Sequence, residues 1–190
     1  MSHPSAFAID LPADLLPGLR RGETRAFERL YRLFERPVYA LALRMLGDAD
    51  EAMDVLHDTL LKVQQGLHGF RGDAPFWGWL RRIAVNEALM RLRRRGRLPD
   101  SAPLDLVEII DDTQLAPLRH AEAAQLERAM TALPDLTRSV LWLYHGEGCT
   151  HEEIAALMGR TPSFSKSQLA RGTQRLRDLL ARPLEPVHAP

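Results

Sequence analysis

The stretch His145–Arg177, HGEGCTHEEIAALMGRTPSFSKSQLARGTQRLR, decides how the rest of this chain is read. Thr150 stands three residues before Glu153, the spacing at which a hydroxyl and a carboxylate cap each other's backbone donors at a helix start. The short helix that this opens, His151 to Met158, places Ile154, Leu157 and Met158 on one face. Gly159 can take the left-handed conformation that a helix C-terminus often needs. Arg160, Thr161 and Pro162 supply a turn, and Ser163 is the expected cap of a second helix reaching about Leu180. That helix carries Lys166, Arg171, Arg175 and Arg177 against a single acid, Asp178. A short helix, a tight turn and a basic helix with polar first turns make the helix-turn-helix that enters a DNA major groove. An ordinary helical hairpin with a solvated basic face shares the pattern, so the remainder of the chain has to arbitrate.

Charge is where the arbitration starts. Net charge is zero over 190 residues, but the average hides a segregation. Arg81 to Arg97 holds seven arginines and one acid, Leu98 to Glu127 seven acids and one arginine, and Arg160 to Arg182 six basic residues and one acid. Two basic blocks on either side of an acidic connector suggest two phosphate-binding modules on a tether. With 45% apolar residues the chain can bury real cores. Its longest apolar runs are far short of a membrane span and no signal peptide is visible, so a cytoplasmic protein without membrane insertion is expected. The lone Cys149 cannot form an internal disulfide, which agrees with a reducing compartment.

Helical spacing fills most of the chain. Residues 1–21 hold three prolines and no periodicity, and read as a mobile arm. From Thr24, the positions Phe27, Leu30, Tyr31, Phe34, Val38, Leu41 and Met45 form one apolar stripe, with Pro37 expected to kink or split the helix. Gly47 ends it, and Asp48 or Asp50 can cap a second helix to about Gln65 with Met53, Leu56, Leu60 and Val63 on its inner face. After a glycine-bearing loop, Pro75 opens a third helix to about Arg95, with Leu80, Ile83, Ala84 and Leu89 inward. Helical signal returns over Arg119 to Ala132 and Asp135 to Tyr144. No useful strand alternation occurs. The expectation is an all-α chain of two small domains: an arm (1–21), a first domain (22–97), a flexible acidic linker (98–118), a helix-turn-helix domain (119–182) and a tail (183–190).

Chemistry-bearing clusters are few. His145, Cys149 and His151 lie close together, but three scattered ligands without a fourth do not make a structural zinc site. Asp54 and His57 have the spacing of a di-iron helix, yet the second such helix is missing. No nucleophile–base pair or phosphate-cradling glycine loop stands out. Neither catalysis, nor a metal, nor a cofactor is expected.

Taken in order, several strings resemble the extracytoplasmic-function sigma factors. Asp48-Ala49-Asp50-Glu51-Ala52-Met53-Asp54-Val55 looks like the acidic start of their second conserved helix. Trp79-Leu80-Arg81-Arg82-Ile83-Ala84-Val85-Asn86 is similar to their tryptophan-leucine…isoleucine-alanine…asparagine stretch. Leu133-Pro134, Glu152-Glu153-Ile154-Ala155 and Lys166-Ser167-Gln168-Leu169 match landmarks of their C-terminal domain. The likeness covers about residues 24–97 and 119–181. His57 and Asp58 stand where the family usually has glutamine and glutamate, Ser163-Phe164-Ser165 where it has glycine-threonine-valine, and Gln168 where it has arginine.

The resemblance implies a subunit that binds RNA polymerase core and directs promoter-specific initiation, with a first domain of the region 2 type and a second of the region 4 type. It implies that the acidic stripe of Asp50, Glu51, Asp54, His57 and Asp58 docks on the polymerase clamp helices, where complementary charge speeds association. A solvated acidic face is the alternative. It places promoter melting around Phe70, Arg71, Trp77, Arg81, Arg82, Asn86 and Arg93, where aromatic rings can stack on bases and arginines meet phosphates. Trp79 matches a family tryptophan and is more often core. Reading of the upstream element falls to Ser163, Phe164, Lys166, Ser167, Gln168, Arg171 and Arg175, since Gln can pair bidentately with adenine and Arg with guanine. Promoter DNA, polymerase core and an anti-sigma protein are the implied partners. A stand-alone helix-turn-helix regulator is the rival reading, and a protein-interaction module a weaker one.

Overall fold

The computed structural model describes residues 5–96 and 123–181, and everything described is helix, turn or loop. The expected linker and C-terminal tail lie outside the described residues, as do the first four residues of the helix expected from Arg119. Eight α-helices are described: α1 (Leu15–Arg20), α2 (Thr24–Leu46), α3 (Ala49–Gly66), α4 (Phe76–Arg94), α5 (Ala123–Thr131), α6 (Asp135–Leu141), α7 (His151–Met158) and α8 (Pro162–Ala181). A 3-10 turn over Leu67–Gly69 follows α3, and a π-helical turn over Trp142–Gly146 follows α6.

The first domain is built on α2, α3 and α4. Leu30, Phe34, Val38, Leu41 and Met45 of α2 are buried, as the stripe demands. Pro37 lies inside α2 without ending it. Gly47, at φ 69°, closes the helix by donating its N–H to Leu43 O. Asp48 then caps α3 by accepting from the Glu51 N–H at 3.0 Å. Val55, Leu56, Leu60 and Val63 meet Leu80, Ala84, Ala88, Leu89 and Leu92 of α4 in the same core. Met53, expected inside, is instead 42% exposed, and Leu61 is 51% exposed. The inner face of α3 is filled by Ala52, Val55 and Thr59, which leaves Met53 on the other side of the helix.

The N-terminal segment is a correction to the sequence reading. Residues 5–21 are a packed element, because Phe7 and Leu15 are fully buried and α1 lies against α2. Arg29 reaches Asp14 at 2.5 Å, and Arg20 donates to Phe70 O at 3.1 Å. Pro12 and Pro17 lie within this path without loosening it. One buried phenylalanine in an aperiodic stretch leaves no helical or strand pattern to detect.

The second domain packs α6 and α7 against α8, with α5 along α8. The capping box of α7 is present in full: Glu153 N–H donates to Thr150 Oγ1 (3.2 Å), and Thr150 N–H to Glu153 Oε2 (2.8 Å). At the start of α8 the cap is Thr161, whose Oγ1 accepts from Phe164 N–H at 3.3 Å, and not Ser163. Pro162 at the first helical position moves the start one residue upstream, as proline there is pre-organised and needs no donor. Gly172 lets α8 approach α6. A Cβ there would stand 2.6 Å from Thr137 Cγ2 and 2.7 Å from Leu141 Cδ1.

The two domains also touch directly. Arg138 of α6 is 5% exposed, and its guanidinium donates to Arg44 O (3.0 Å) and Met45 O (2.9 Å) of α2. It also donates to Leu133 O (3.1 Å) and to Asp135 Oδ1 (2.6 Å) in its own domain. Arg44 lies over the Trp142 ring at 4.1 Å, and Arg81 of α4 donates to Glu147 O at 2.8 Å. Ser5 Oγ donates to Glu147 Oε2 at 2.5 Å.

Gly172→Ala should destabilise the second domain by about 1–3 kcal/mol, the usual cost of overpacking a filled core. A Cβ at Gly78 meets nothing within 4 Å, so Gly78→Ala serves as the control. It should be neutral or gain a few tenths of a kcal/mol from reduced chain entropy. Urea midpoints for both variants make the comparison.

Candidate polymerase and DNA interface

Three groups of side chains carry the expected chemistry, and each is placed by its helix. On α3, the acidic stripe divides. Asp58 faces α4 and the exposed Asp54 lies at the border between that face and the outer one, and Arg91 donates to them at 2.8 and 3.0 Å. Glu51 receives Arg95 Nε at 2.7 Å, and Asp48 lies 3.4 Å from the same guanidinium. Arg91 is itself partly buried, which works against its charge, but the Asp58 and Asp54 contacts outweigh that and raise its pKa. Expected as a continuous free stripe, these acids are instead largely neutralised within the domain. What α3 presents outward is Asp50, Met53, Asp54, His57 and Leu61, all exposed and spaced at helical intervals. The sequence reading missed Leu61. Its spacing from Asp50, Met53, Asp54 and His57 is the signal that could have found it.

On α4 and the loop before it, the aromatics form a cluster. Phe70 lies 5.1 Å from the Trp79 ring and edge-on to Phe76 at 5.3 Å, and Phe76 is buried. Phe70 is therefore half-buried in a ring contact rather than free to stack on a base. Trp79 packs into this cluster, as expected of it, and its ring edge would meet a Cβ placed at Gly66 at 3.2 Å. Trp77 is half-buried, with Arg81 above its ring at 5.4 Å. Arg71, Arg82, Asn86 and Arg93 are exposed, the last three on one side of α4. Arg81 points elsewhere, to Glu147 O of the second domain.

On α8, Ser163, Lys166, Arg171 and Arg175 are exposed, while Phe164 and Ser167 are half-buried. Ser167 is held by Arg171, whose Nη2 donates to its Oγ at 2.7 Å. Gln168 is half-buried, and its Oε1 accepts from Thr137 Oγ1 at 2.9 Å. Arg160 lies over the Phe164 ring at 5.7 Å. Gln174, absent from the sequence reading, is exposed between Arg171 and Arg175 and donates to Asp178 Oδ1 at 3.0 Å. With Leu179 these four residues line an open cleft of about 460 Å³. Their spacing along one side of α8 was readable, but a glutamine there carries no charge signal.

The three side chains weighed for zinc are otherwise engaged. His151 stacks on Tyr144 at 4.8 Å and sits 3.0 Å from Ser165 Oγ. His145 lies edge-on to Tyr144 at 5.0 Å. Cys149 is buried, and among the described residues no three or more His, Cys, Asp or Glu side chains gather as a metal site.

Comparison with known proteins bears on this geometry. Residues 30–98 match Sigma-70 region 2, and residues 123–176 match Sigma-70, region 4. The chain belongs to the extracytoplasmic-function group of the sigma-70 family. It is 30% identical to the RNA polymerase sigma-H factor of Pseudomonas aeruginosa, over 91% of this chain and 93% of that one. It is 33% identical to the ECF RNA polymerase sigma factor SigM of Mycobacterium tuberculosis, over 88% and 84%. Among solved structures it resembles the sigma factor RpoE in complex with the anti-sigma factor NepR from Bartonella quintana, at TM-score 0.57 and 26% identity, covering 83% of this chain and 98% of that one. It also resembles CnrH in complex with the cytosolic domain of CnrY, at TM-score 0.54 and 26% identity, over 88% and 95%. As a sigma factor it acts with RNA polymerase in transcription initiation. The region 2 match removes the stand-alone regulator, whose N-terminal domain would have been unrelated to polymerase. Among the described residues no helix is long and apolar enough to cross a membrane.

Burial pushes the Cys149 thiol from its ordinary 9.0 up to about 11, with Arg81 opposing and Glu153 and Glu147 adding to the effect. The folded thiol therefore keeps its proton in a range where the unfolded thiol has lost it. Above pH ~9 the unfolded chain binds fewer protons, so stability falls with pH until about 11. Cys149→Ala should lack that part of the slope. Urea midpoints of parent and variant between those pH values check it, whatever constant offset the smaller side chain introduces.

Proposed function

We propose that this sigma factor engages its partners through three separate surfaces. The outer stripe of α3 docks on the clamp helices of polymerase core, with Met53 and Leu61 as apolar anchors and Asp50, Asp54 and His57 around them. Exposed large apolar residues are rare in the described structure, and these two share one helix. A core of apolar contacts inside a polar rim is the usual anatomy of an interface. The rim charges set mainly the rate of association. Glu51 and Asp58 serve the domain by holding Arg95 and Arg91.

The melted promoter strand is held by Arg71, Arg82, Asn86 and Arg93 on the outside of α4, with Trp77 as the ring available for a base. Cations on phosphates and one aromatic face are sufficient for sequence-tolerant strand binding. Phe70 and Arg81 belong to this region but are committed to the Phe76 and Trp79 rings and to Glu147 O respectively.

Upstream duplex is read by α8. The observation that carries this reading is the exposed row Ser163, Lys166, Arg171, Gln174 and Arg175 behind an intact helix-turn-helix. Ser163 and Phe164 stand in the first turn of the helix. Gln168 acts by positioning α8 on α6 through Thr137 rather than by touching a base. The proposal extends to an anti-sigma partner, a class supported by the two solved complexes, and to action in the cytoplasm.

Run-off transcription with purified core polymerase on a promoter library tests the whole. Arg171→Ala and Gln174→Ala should each relax base preference at an upstream position, at about 1–3 kcal/mol against the correct base. Arg175→Ala should weaken binding evenly and reduce the salt slope by about one ion. Absence of any core-dependent transcript overturns the reading, and unchanged preference in both α8 variants removes the groove assignment.

A further inference from the structure

The row of side chains on the outer side of α8 begins with a phenylalanine. The core side of the helix is made by Ser165, Leu169, Gly172, Thr173 and Leu176. By helical spacing, Phe164 falls away from these, in line with Ser167, Arg171, Gln174 and Arg175 on the following turns. Its ring is only half-buried: it packs against the core, and Arg160, from the turn before α8, lies over it at 5.7 Å. The attraction of a cation for an aromatic face helps to hold the ring in place. The backbone N–H of Phe164 is given to Thr161 Oγ1 at 3.3 Å, so it is not available to a phosphate. What this residue offers a partner is its ring.

A recognition helix in the major groove touches base edges with the residues near its N-terminus. Almost everything it meets there is a hydrogen-bond donor or acceptor. The exception is the 5-methyl group of thymine, which apolar side chains, phenylalanine among them, contact directly. Set against any other base edge, the exposed part of the ring would cover polar atoms without satisfying them, which costs free energy. The apolar head of an otherwise polar row is therefore matched by one base.

We propose that Phe164 is a specificity-determining residue, whose ring meets the 5-methyl of a thymine, so that the preferred DNA carries a T·A pair facing the first turn of α8. The inference rests on the reading of upstream duplex by α8 and adds the base class at one position. The contact is apolar, so it discriminates between bases without charge. Its contribution stays level as salt rises, whereas the arginine contacts to phosphate weaken. Burial of one methyl amounts to about a fourfold preference for thymine over uracil.

The test uses the full-length chain assembled with purified core polymerase, and the promoter duplex that this complex selects from a library. Each thymine of the upstream element, on either strand, is replaced in turn by uracil, which pairs alike and lacks only the 5-methyl. Competition binding should find one position where uracil binds about fourfold more weakly, to the same extent at low and high salt. Phe164→Ala should bind the two duplexes alike there, while Phe164→Leu, still apolar, should keep most of the difference. Phe164→Asn takes the place of the alanine variant if circular dichroism shows that one to be unfolded. A parent indifferent to uracil at every position overturns the inference. So does a uracil effect that survives the loss of the ring, because Phe164 would then serve the packing of the turn alone. Failure of the α8 reading shows itself differently: no upstream element is selected, or Arg171→Ala and Gln174→Ala leave base preference unchanged, and the role of Phe164 falls with it. An element still read through Arg171 but lacking a uracil-sensitive position removes Phe164 alone.

Discussion

Arg138 is the residue on which the arrangement of this molecule depends. A buried guanidinium is tolerable only when its donors are filled, since an unpaired buried charge costs several kcal/mol. Here the donors are divided between two domains: Asp135 and Leu133 O on one side, Arg44 O and Met45 O on the other. Neither half alone satisfies the group. Hydrogen bonds to a charged donor contribute about 1.5–3 kcal/mol each, well above the about 0–1 kcal/mol of an exposed ion pair. The seam is accordingly set by one side chain and by the helix end it caps. Gly47 is part of the same geometry, because its left-handed turn carries the chain past the guanidinium, 3.5 Å from where a Cβ would sit.

A second constraint shapes the first domain. Arg91 and Arg95 staple α4 to the acidic side of α3. The pairs are partly exposed and individually weak, but together they decide which acids remain for a partner. Lys62 on Glu87, 2.5 Å away with Glu87 5% exposed, does the same further along the two helices. One side of α3 is thus spent on internal charge pairing. The other is left mixed, apolar at Met53 and Leu61 and charged between them. That division turns an apparently uniform acidic stripe into a surface with an apolar centre and a charged rim.

The sequence told most where the signal was local. The capping box of α7, Gly159, the Asp48 cap and the stripe of α2 depend on residues within a few positions of each other, and all were legible. Non-local requirements were not. Nothing near Arg138 distinguishes it from a surface arginine, since its partners Arg44 and Met45 are more than ninety positions away. Phe7 is buried by a core to which its neighbours give no pattern. Gln168 reads as a groove residue because α8 is basic around it, and only the approach of Thr137 shows where it turns. Met53 fits an apolar period on α3, but α2 and α4 already fill the inner face. In each case the tertiary neighbour, and not the local spacing, settled the outcome.

The same distinction separates how the surfaces act. The exposed arginines of α4 and α8 carry screened charge, so any attraction of theirs for a polyanion falls steeply as salt rises. The seam works through desolvated donors and carbonyls and is indifferent to salt at the same concentrations. Asp48, the cap of α3, stands three residues after Met45, whose carbonyl Arg138 takes, and the outer stripe starts two residues later at Asp50. The outer stripe of α3 and the Arg138 cap at the end of α2 are therefore neighbours along the chain, joined through the turn at Gly47.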